Sequence, residues 1–421
     1  MKILLINNYH FRHGGAEAVY FNTADLMRLH GHEVIFFSLD RDENDPCEQS
    51  PYFVKAIDFN CKGFINKVKG VCRYFYNKKA AKALDKLLTD QHPDVAHIHL
   101  YLGGLSVSIM EVLKRHEIPI VHSVHEYRMV CPAYTFKDGT NRICEDCGGG
   151  KFWHCLQKRC SKGNLLLSTV MTSEMFYRNT FHHPAKYVDA FVFVSKFCRD
   201  IHFIYDNQIT KKFCTVLYNF CNTDVVENKR DNLNNFNSYY LYYGRLSFEK
   251  GIVTLIQAFS KYPNLKLKVV GTGPEEIMLK NKCIQEGINN IEFLGYKKGK
   301  DLYDLVQESK FVCVPSEWYE NNPMTIVEAY SLNTPVIGAA IGGITEIIDD
   351  AKTGYLFESG NLQDLCKILD ITTKLSKDDY YDMRKNANQF ACNNFDREQH
   401  YKKLVEVYNK VKQNKDIDIN G

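Results

Sequence analysis

The sequence has no uncharged run that could cross a membrane. Its longest uncharged stretch extends from Ala329 to Thr345 and is broken by Pro335 and by three glycines, whereas a membrane-spanning helix needs about 20 apolar residues. The amino terminus has only four consecutive apolar residues, Ile3–Ile6, and a secretory signal needs a longer apolar region before a small-residue cleavage site. We therefore expect a cytoplasmic protein.

The sequence also has too little excess charge of either sign for a dedicated nucleic-acid binder. It contains 53 Lys and Arg against 50 Asp and Glu, a net charge of +3. Residues 1–220 carry a net charge of +6 and residues 221–421 a net charge of −3. The mild basic excess in the first half favours a phosphate-bearing substrate or a membrane surface as a partner, and no nucleic acid.

Short apolar runs rich in Val and Ile alternate with helical patterns along the chain, and glycine-containing loops follow many of these runs. The alternation predicts an α/β protein with doubly wound parallel sheets, because strands buried on both faces have this composition. The predicted strands are Ile3–Ile6, Val34–Leu39, Val95–Leu100, Ile118–Val124, Asp189–Val194, Cys214–Leu217, Tyr239–Tyr243, Leu265–Val270, Ile291–Leu294, Phe311–Val314 and Pro335–Ala339.

A length of 421 residues predicts two or three domains. We assign residues 1–224 to an N-terminal Rossmann-like domain with a cysteine-rich insertion at 131–163, and residues 239–395 to a C-terminal Rossmann-like domain. The polar, Asn-rich residues 225–238 form the predicted linker, and residues 396–421 form a C-terminal helix that returns to the N-terminal domain. Ligands bind at the carboxyl ends of parallel strands, so we expect the two domains to face each other across a cleft.

Two glutamates flank a predicted helix start in the second domain. Asn322 and Pro323 are typical of an N-cap residue followed by proline at the first helical position. Glu320 then precedes the helix and Glu328 lies inside it, with the positive end of the helix between them. This arrangement suits a sugar nucleotide, whose phosphates, ribose and sugar would meet the helix end and the two carboxylates. The alternative is a surface glutamate and an ordinary salt bridge.

Two basic residues follow the first strand of the second domain. Arg245 and Lys250 flank a loop before a helical pattern, and their charges can hold phosphate oxygens and stabilise a leaving diphosphate. The alternative is a solvated pair beside a structural glycine turn.

The motifs of the second domain resemble the C-terminal half of glycosyltransferase family 4, whose members are retaining enzymes of the GT-B fold that use nucleotide sugars, and motifs of the first domain extend the resemblance. The resemblance is to a bacterial polysaccharide-type member with a cysteine-rich insertion, and it covers roughly residues 1–400. The motifs that carry it are Gly244-Arg245-Leu246 with Glu249-Lys250-Gly251, Gly271-Thr272-Gly273, Phe293-Leu294-Gly295-Tyr296, the segment 320–328, Gly14-Gly15-Ala16-Glu17, the segment 94–99 and the segment 122–126.

The resemblance implies a role for each matching position. The implied catalytic residues are Arg245, Lys250, Glu320 and His125. The implied donor-binding residues are Gly14, Gly15, Gly271, Gly273, Tyr296, Asn322, Met324, Thr325 and Glu328. It further implies that the donor phosphate accepts the acceptor's proton on the same face of the sugar.

The implied reaction is transfer of a sugar from a nucleotide-diphosphate sugar to a glycan or lipid-linked acceptor, in cell-surface polysaccharide synthesis. A nucleotide-sugar epimerase of the same two-domain architecture is the alternative, and it would turn over the donor without an acceptor. We expect no catalytic metal, because the motif Asp40-Arg41-Asp42 lies in an acidic segment that we interpret as solvated surface.

The insertion contains cysteines at the spacing of a structural zinc site. Cys144 and Cys147 form a pair, and Cys155 and Cys160 follow, which is a pattern that can bind zinc. Cys131 or His154 could take the place of one of these ligands. The alternatives are reduced structural thiols or a redox-labile pair.

Residues 62–86 combine basic side chains with apolar and aromatic residues at helical spacing. Such a helix can lie on an anionic membrane, which would suit a lipid-linked acceptor and would place the protein at the inner face of the membrane. The alternative is a helix whose apolar side faces the core and whose basic side is solvated.

Overall fold

The predicted apolar runs become strands because helices cover both faces of each sheet. The computed structural model describes residues 1–12, 14–58, 62–221 and 239–420, of which 415–420 are described by their backbone alone. The chain forms two compact units. We call Met1–Leu217 with His400–Gly421 the first unit, and Tyr218–Gln399 the second unit.

The first unit contains a six-stranded parallel sheet and a two-stranded parallel ribbon. Its strands are β1 (Lys2–Ile6), β2 (Glu33–Phe37), β3 (Leu39–Asp40), β4 (Val54–Lys55), β5 (Val95–Ile98), β6 (Ile120–Val124), β7 (Ala190–Phe193) and β8 (Phe213–Val216). Its helices before the second unit are α1 (Gly15–Leu29), α2 (Phe64–Phe75), α3 (Lys78–Gln91), α4 (Ser108–Arg115), α5 (Trp153–Gln157), α6 (Leu165–Phe181) and α7 (Lys196–Tyr205).

The strand order of the first sheet reverses at β1. The order is β2-β1-β5-β6-β7-β8, and Ile6 at the end of β1 lies opposite Phe37 on one side and Ile98 on the other. Because all of these pairs are parallel, the carboxyl ends of β1, β5 and β6 share one edge of the sheet. Polar residues that follow these strands are therefore brought together there.

The second unit contains another six-stranded parallel sheet, with the order β11-β10-β9-β12-β13-β14. Its strands are β9 (Tyr240–Tyr243), β10 (Leu267–Val270), β11 (Ile291–Gly295), β12 (Phe311–Val314), β13 (Val336–Ala339) and β14 (Gly354–Phe357). The helices are α8 (Ile252–Ser260), α9 (Glu276–Gln285), α10 (Gly299–Glu308), α11 (Met324–Ser331), α12 (Leu362–Lys374), α13 (Lys377–Asn394) and α14 (Arg397–Asn420), the last of which continues into the first unit. The order reverses at β9, so the loops after β9 and β12 meet at the switch point.

Helix α14 completes the core of the first unit. Its apolar residues, among them Leu404 and Tyr408, pack with Leu5 and Tyr20 against one face of the sheet. The hydroxyl of Tyr408 also lies 2.7 Å from Nδ1 of the buried His97 on β5. The carboxyl-terminal segment is thus joined to the first sheet by a polar contact as well as by apolar packing.

The prediction of two doubly wound parallel-sheet α/β domains is confirmed. The sequence prediction omitted β14 and the ribbon of β3 and β4, which are short and carry few of the Val and Ile residues that marked the other strands. The predicted linker at 225–238 lies outside the described residues. The first unit ends at Leu217 and the chain returns to it at His400, whereas the predicted domains end at 224 and 395.

Within the described residues, none of the helices combines the length and apolar content that crossing a bilayer requires.

Candidate functional site

The loop after β9 is held against the loop after β12 by a glycine. Gly251 has a φ of +67°, and a Cβ at this position would lie 1.8 Å from the carbonyl oxygen of Pro315. Only glycine permits this close approach without a shift of the backbone. The two loops can therefore meet, and Lys250 reaches the residues that follow β12.

Glu320 is a buried carboxylate at this junction, with 7% of its surface exposed. Its Oε1 accepts hydrogen bonds from Lys250 Nζ at 2.6 Å, Trp318 Nε1 at 2.7 Å and Ser316 Oγ at 2.8 Å. Burial works to raise the pKa of Glu320, but the Lys250 ammonium and these donors hold it below its ordinary value. Glu320 is therefore an ionised carboxylate paired with a cation.

Ser316 and Trp318 are site residues that the sequence analysis missed. Besides its bond to Glu320, Trp318 places its ring 5.0 Å from Lys250 Nζ, so one side chain contacts both members of the ion pair. The signal that could have identified them is their position between the end of β12 and Glu320, since loops at a switch point supply binding residues.

Arg245 lies in the same loop as Lys250 but is exposed to solvent. Within the described residues, no ion pair or hydrogen bond engages its guanidinium group. The second unit thus presents one lysine already paired with a buried carboxylate and one arginine whose charge is available to an anion.

Glu328 lies one turn into α11 and is half-buried. Burial raises its pKa to about 7, although a hydrogen bond with Tyr243 works in the opposite direction. The Tyr243 hydroxyl has a single hydrogen and its oxygen lies 2.8 Å from the carbonyl oxygen of Thr325, so Thr325 and Glu328 share this donor. The tyrosine at the end of β9 therefore links the switch point to the first turn of α11, and Glu328 is poised to change its charge near neutral pH.

The predicted N-cap at Asn322 is wrong by one residue. Helix α11 begins at Met324, and Pro323 occupies the cap position with φ −66° and ψ 122°. The side-chain oxygen of Asn322 accepts from the backbone N–H of Asn219 at 2.9 Å, and the Asn219 amide donates to the carbonyl oxygen of Asn322 at 2.8 Å. This tertiary pairing occupies the side-chain oxygen of Asn322 that an N-cap would need. Met324 and Thr325 form the first turn of the helix, where backbone N–H groups have no partners within the helix.

The glycines after β10 have a packing role. A Cβ on Gly271 would lie 1.9 Å from the carbonyl oxygen of Gly244, and one on Gly273 would lie 2.3 Å from that of Leu246. These contacts bring the loop after β10 against the Arg245 loop. Tyr296, which follows β11, is 64% exposed. The predicted donor-binding positions of the second unit therefore follow neighbouring strands of one sheet.

In the first unit, the predicted glycines lie at the start of α1. Helix α1 begins at Gly15, with Gly14 in the cap position, and both are exposed. Glu17 in the first turn is 3% exposed, and burial raises its pKa. This buried carboxyl group beside the two glycines belongs to the Gly14–Glu17 motif, although no role was predicted for it.

His125 and His99 form a hydrogen-bonded pair at the edge of the first sheet. His99 follows β5 and His125 follows β6, and His99 Nδ1 lies 2.9 Å from His125 Nε2. Burial lowers the pKa of both rings, that of His125 to about 4. Both imidazoles are therefore neutral at physiological pH, so one ring donates its N–H to the lone pair of the other. His125 belongs to the predicted catalytic residues, whereas His99 had no predicted role.

The cysteines of the insertion are free thiols, and none of them forms a disulfide in the described part of the chain. A hydrogen bond from the neighbouring Cys160 lowers the pKa of the Cys155 thiol. Burial raises the pKa of Cys147, and the nearby Cys131 and Cys155 add to this effect. Lys158 donates to the Cys144 sulfur at 3.5 Å. In the part of the chain that the structure describes, no group of three or more His, Cys, Asp or Glu side chains is arranged to hold a metal ion. The zinc site stays a prediction from spacing.

Both units match known sequence families. Residues 13–225 match the model of Glycosyltransferase Family 4, and residues 226–391 match that of Glycosyl transferases group 1. An uncharacterized 42.6 kDa protein of the cps region of Klebsiella pneumoniae is 24% identical over 388 residues, which cover 87% of this chain and 92% of that protein.

Solved structures share the fold. A glycosyltransferase from Rickettsia africae superposes with a TM-score of 0.68 at 18% identity, over 97% of this chain and 98% of that chain. Anabaena HepE, solved in complex with UDP and glucose, superposes with a TM-score of 0.67 at 17% identity, over 97% of this chain and all of that chain. These likenesses establish the GT-B fold for this chain.

Proposed function

Because this chain belongs to glycosyltransferase family 4, we propose that it moves a sugar from a nucleotide-diphosphate donor to a glycan or lipid-linked acceptor with retention of anomeric configuration. The observation that carries the proposal is the Lys250–Glu320 ion pair at the switch point of the second unit, with the exposed Arg245 in the same loop. A cation beside a helix amino terminus is suited to a leaving diphosphate.

The reaction breaks the anomeric C–O bond, and its electron pair goes to the departing diphosphate. Arg245 and Lys250 stabilise that charge, which is greatest in the transition state. The acceptor oxygen bonds to the anomeric carbon on the same face, and its proton passes to a phosphate oxygen of the leaving group. No protein side chain is then needed as a general base.

The remaining residues have supporting roles in this proposal. Glu320 contacts the transferred sugar and holds Lys250 in place, while Glu328 accepts hydrogen bonds from ribose hydroxyls. Met324 and Thr325 offer their backbone N–H groups to phosphate. In the first unit, Gly14 and Gly15 approach the donor and His125 lies near its sugar.

Helix α2 supports docking on an anionic membrane. The segment 62–86 forms two helices and not one, because the chain breaks at Tyr76 and Asn77 between α2 and α3. In α3 the apolar Ala80 and Leu84 are buried, as the core-facing alternative expects. In α2, however, Phe64, Ile65 and Val68 are 81%, 68% and 44% exposed. Lys67 and Lys69 are exposed on the same helix. An amphipathic helix with exposed apolar residues and lysines can bind the surface of an anionic bilayer, which would bring the enzyme to a lipid-linked acceptor at the inner face of the membrane.

The role in cell-surface polysaccharide synthesis that we propose comes from the sequence resemblance. The Klebsiella protein is named for the cps region, and HepE was solved with UDP and glucose. We propose a hexosyl donor by analogy with HepE, and an N-acetylhexosaminyl donor as the alternative. The epimerase alternative is not favoured, because both family models that match are those of transferases.

A panel of nucleotide sugars tests the proposal. A donor that binds the folded protein raises its melting temperature, and transfer is then measured with that donor and a set of lipid-linked and glycan acceptors. We expect turnover only when an acceptor is present, with the anomeric configuration retained in the product. Turnover of the donor alone would favour the epimerase, and full activity of the Arg245→Ala, Lys250→Ala double variant would refute the site.

Elemental analysis of protein purified without chelators decides between structural zinc and reduced thiols.

A further inference from the structure

The hydrogen bond between His99 and His125 joins two rings that lie nearly in one plane. Their planes differ by 7° and their centroids are 5.0 Å apart, as expected when one ring nitrogen points directly at the other at 2.9 Å. Each neutral imidazole has one N–H and one lone pair. One ring must therefore donate and the other accept, so the tautomer of one fixes the tautomer of the other.

The surroundings of His99 determine which ring donates. His99 is 1% exposed, and its Nε2 has no hydrogen-bond partner among the described residues. A buried N–H without an acceptor is costlier than a buried lone pair without a donor, and orphaned N–H groups are rare in folded proteins. The proton of His99 therefore lies on Nδ1, which donates to His125 Nε2.

The ring of His99 is held in place by its neighbours. The ring of His97 lies 4.4 Å from it and that of Tyr20 lies 5.5 Å away. His97 is fixed in turn by Ser123 Oγ and the Tyr408 hydroxyl, each 2.7 Å from one of its ring nitrogens. A half-turn of the His99 ring about its Cβ–Cγ bond would put a carbon in place of Nδ1 and lose the bond to His125, so the ring keeps this orientation.

We propose that His99 is a positioning residue that fixes His125 in the tautomer protonated at Nδ1, so that His125 serves the reaction as a hydrogen-bond donor and not as a proton acceptor. The His125 lone pair on Nε2 is already engaged by His99. This inference rests on the proposed function for the identity of the reaction, and it agrees with a mechanism in which the donor phosphate takes the acceptor's proton.

Three substitutions at His99 separate the tautomer effect from a loss of packing. His99→Asn keeps an N–H donor close to the position of Nδ1, His99→Asp offers only an acceptor, and His99→Leu offers neither. His202→Leu is the matched control, because His202 is also fully buried in the first unit and its Nδ1 is bonded to the Cys198 carbonyl oxygen instead.

The first measurement is ¹⁵N NMR of the histidine rings in the full-length protein, which needs no substrate. We expect His125 to be protonated at Nδ1 in the wild-type protein and in His99→Asn, and at Nε2 in His99→Asp. Protonation of wild-type His125 at Nε2 would overturn the inference, whether or not a donor has been found. Unchanged His125 signals in His99→Asp would also overturn it.

The second measurement is the transfer rate with the donor found in the panel. By analogy with other residues that orient a functional histidine, we expect His99→Leu and His99→Asp to lower kcat by about tenfold or more with a smaller change in the donor KM, and His99→Asn to restore most of it. His202→Leu should lower thermal stability but leave kcat unchanged. Equal kcat values in all three His99 variants would reject the role. If His99→Leu does not fold, the comparison of His99→Asn with His99→Asp decides.

Discussion

Lys250 Nζ lies 2.6 Å from Glu320 Oε1, although the two residues are 70 positions apart in the chain. The pair sits where the loops after β9 and β12 meet, and Ser316 and Trp318 donate to the same carboxylate oxygen. A cation held in this way is already oriented before a donor arrives, so it can stabilise a leaving diphosphate without rearrangement.

Removal of the Lys250 charge should therefore slow transfer. We expect Lys250→Ala to reduce kcat/KM by roughly a hundredfold, or about 3 kcal/mol of transition-state stabilisation, by analogy with loss of one oxyanion-hole donor. Steady-state kinetics measures the effect. Lys280→Ala is the control, because Lys280 also forms an ion pair in the second unit, with Glu276 on its own helix. Similar losses in the two variants would contradict a specific role for Lys250.

Nucleotide binding should release a proton from Glu328. Burial raises the pKa of this carboxyl group to about 7, so about half of it is protonated at pH 7. Hydrogen bonds from ribose hydroxyls favour the charged form and lower the pKa, so binding expels the proton. Calorimetry in buffers of different ionisation enthalpy should show release of up to about half a proton at pH 7, and none for Glu328→Gln. Proton uptake would refute the assigned contact.

Acidification should destabilise the first unit before the second. Burial lowers the pKa of His122 to about 3 and that of His202 and His10 to about 4, whereas an unfolded histidine titrates near 6.5. Below pH 6.5 the unfolded chain binds protons that the folded unit cannot bind, so stability is lost as pH falls from about 6.5 towards 4. The slope is about 1.4 kcal/mol per pH unit for each such histidine.

The second unit is the internal control for this experiment, because residues 218–399 contain no histidine. Hydrogen exchange followed by mass spectrometry at pH 7 and pH 5, corrected for the intrinsic exchange rate, resolves the two units. We expect protection to fall in β5, β6 and β7. An earlier loss in β9 and β12 would show that other groups control the acid response.

Gly251→Ala should separate the two loops that carry the ion pair. The new Cβ would lie 1.8 Å from the Pro315 carbonyl oxygen, and alanine is also strained at a φ of +67°. Gly287 is a matched control, since its φ is +64° and no atom lies within 4 Å of its Cβ position. We expect Gly287→Ala to cost about 1 kcal/mol from backbone strain alone, as measured by denaturant unfolding. Gly251→Ala should cost more and also lower kcat/KM, and equal costs would contradict the role of the close approach.

Phe64→Ser with Ile65→Ser should weaken binding to anionic membranes. These side chains are among the most exposed apolar groups of the chain, and so are Ile277 and Ile284 in the second unit. We expect co-sedimentation of the wild-type protein with phosphatidylglycerol vesicles but not with phosphatidylcholine vesicles, because lysines on α2 add an electrostatic attraction that salt weakens. The control variant Ile277→Ser with Ile284→Ser should bind as the wild type does. No binding by the wild type at low salt would exclude docking through α2.

Local patterns were sufficient for much of the fold. Alternating apolar runs and glycine loops predicted two doubly wound parallel sheets, because hydrophobic periodicity and backbone freedom act over a few neighbouring residues. The same patterns predicted that Arg245 and Lys250 follow β9 and that Glu320 follows β12. It failed at the start of α11, where Asn219, 103 positions before Asn322, takes the side-chain oxygen that the predicted cap required.

The sequence alone thus determined the fold class, the family and the candidate charged residues, since each of these depends on residue type and short-range spacing. Tertiary packing decided which partners those residues have. Glu320 is ionised because Lys250 and Trp318 reach it, and His125 has a defined tautomer because the buried ring of His99 faces it. The Lys250–Glu320 and His99–His125 contacts join residues that are far apart in the sequence. They form because parallel strands bring the loops at their carboxyl ends to one edge of the sheet.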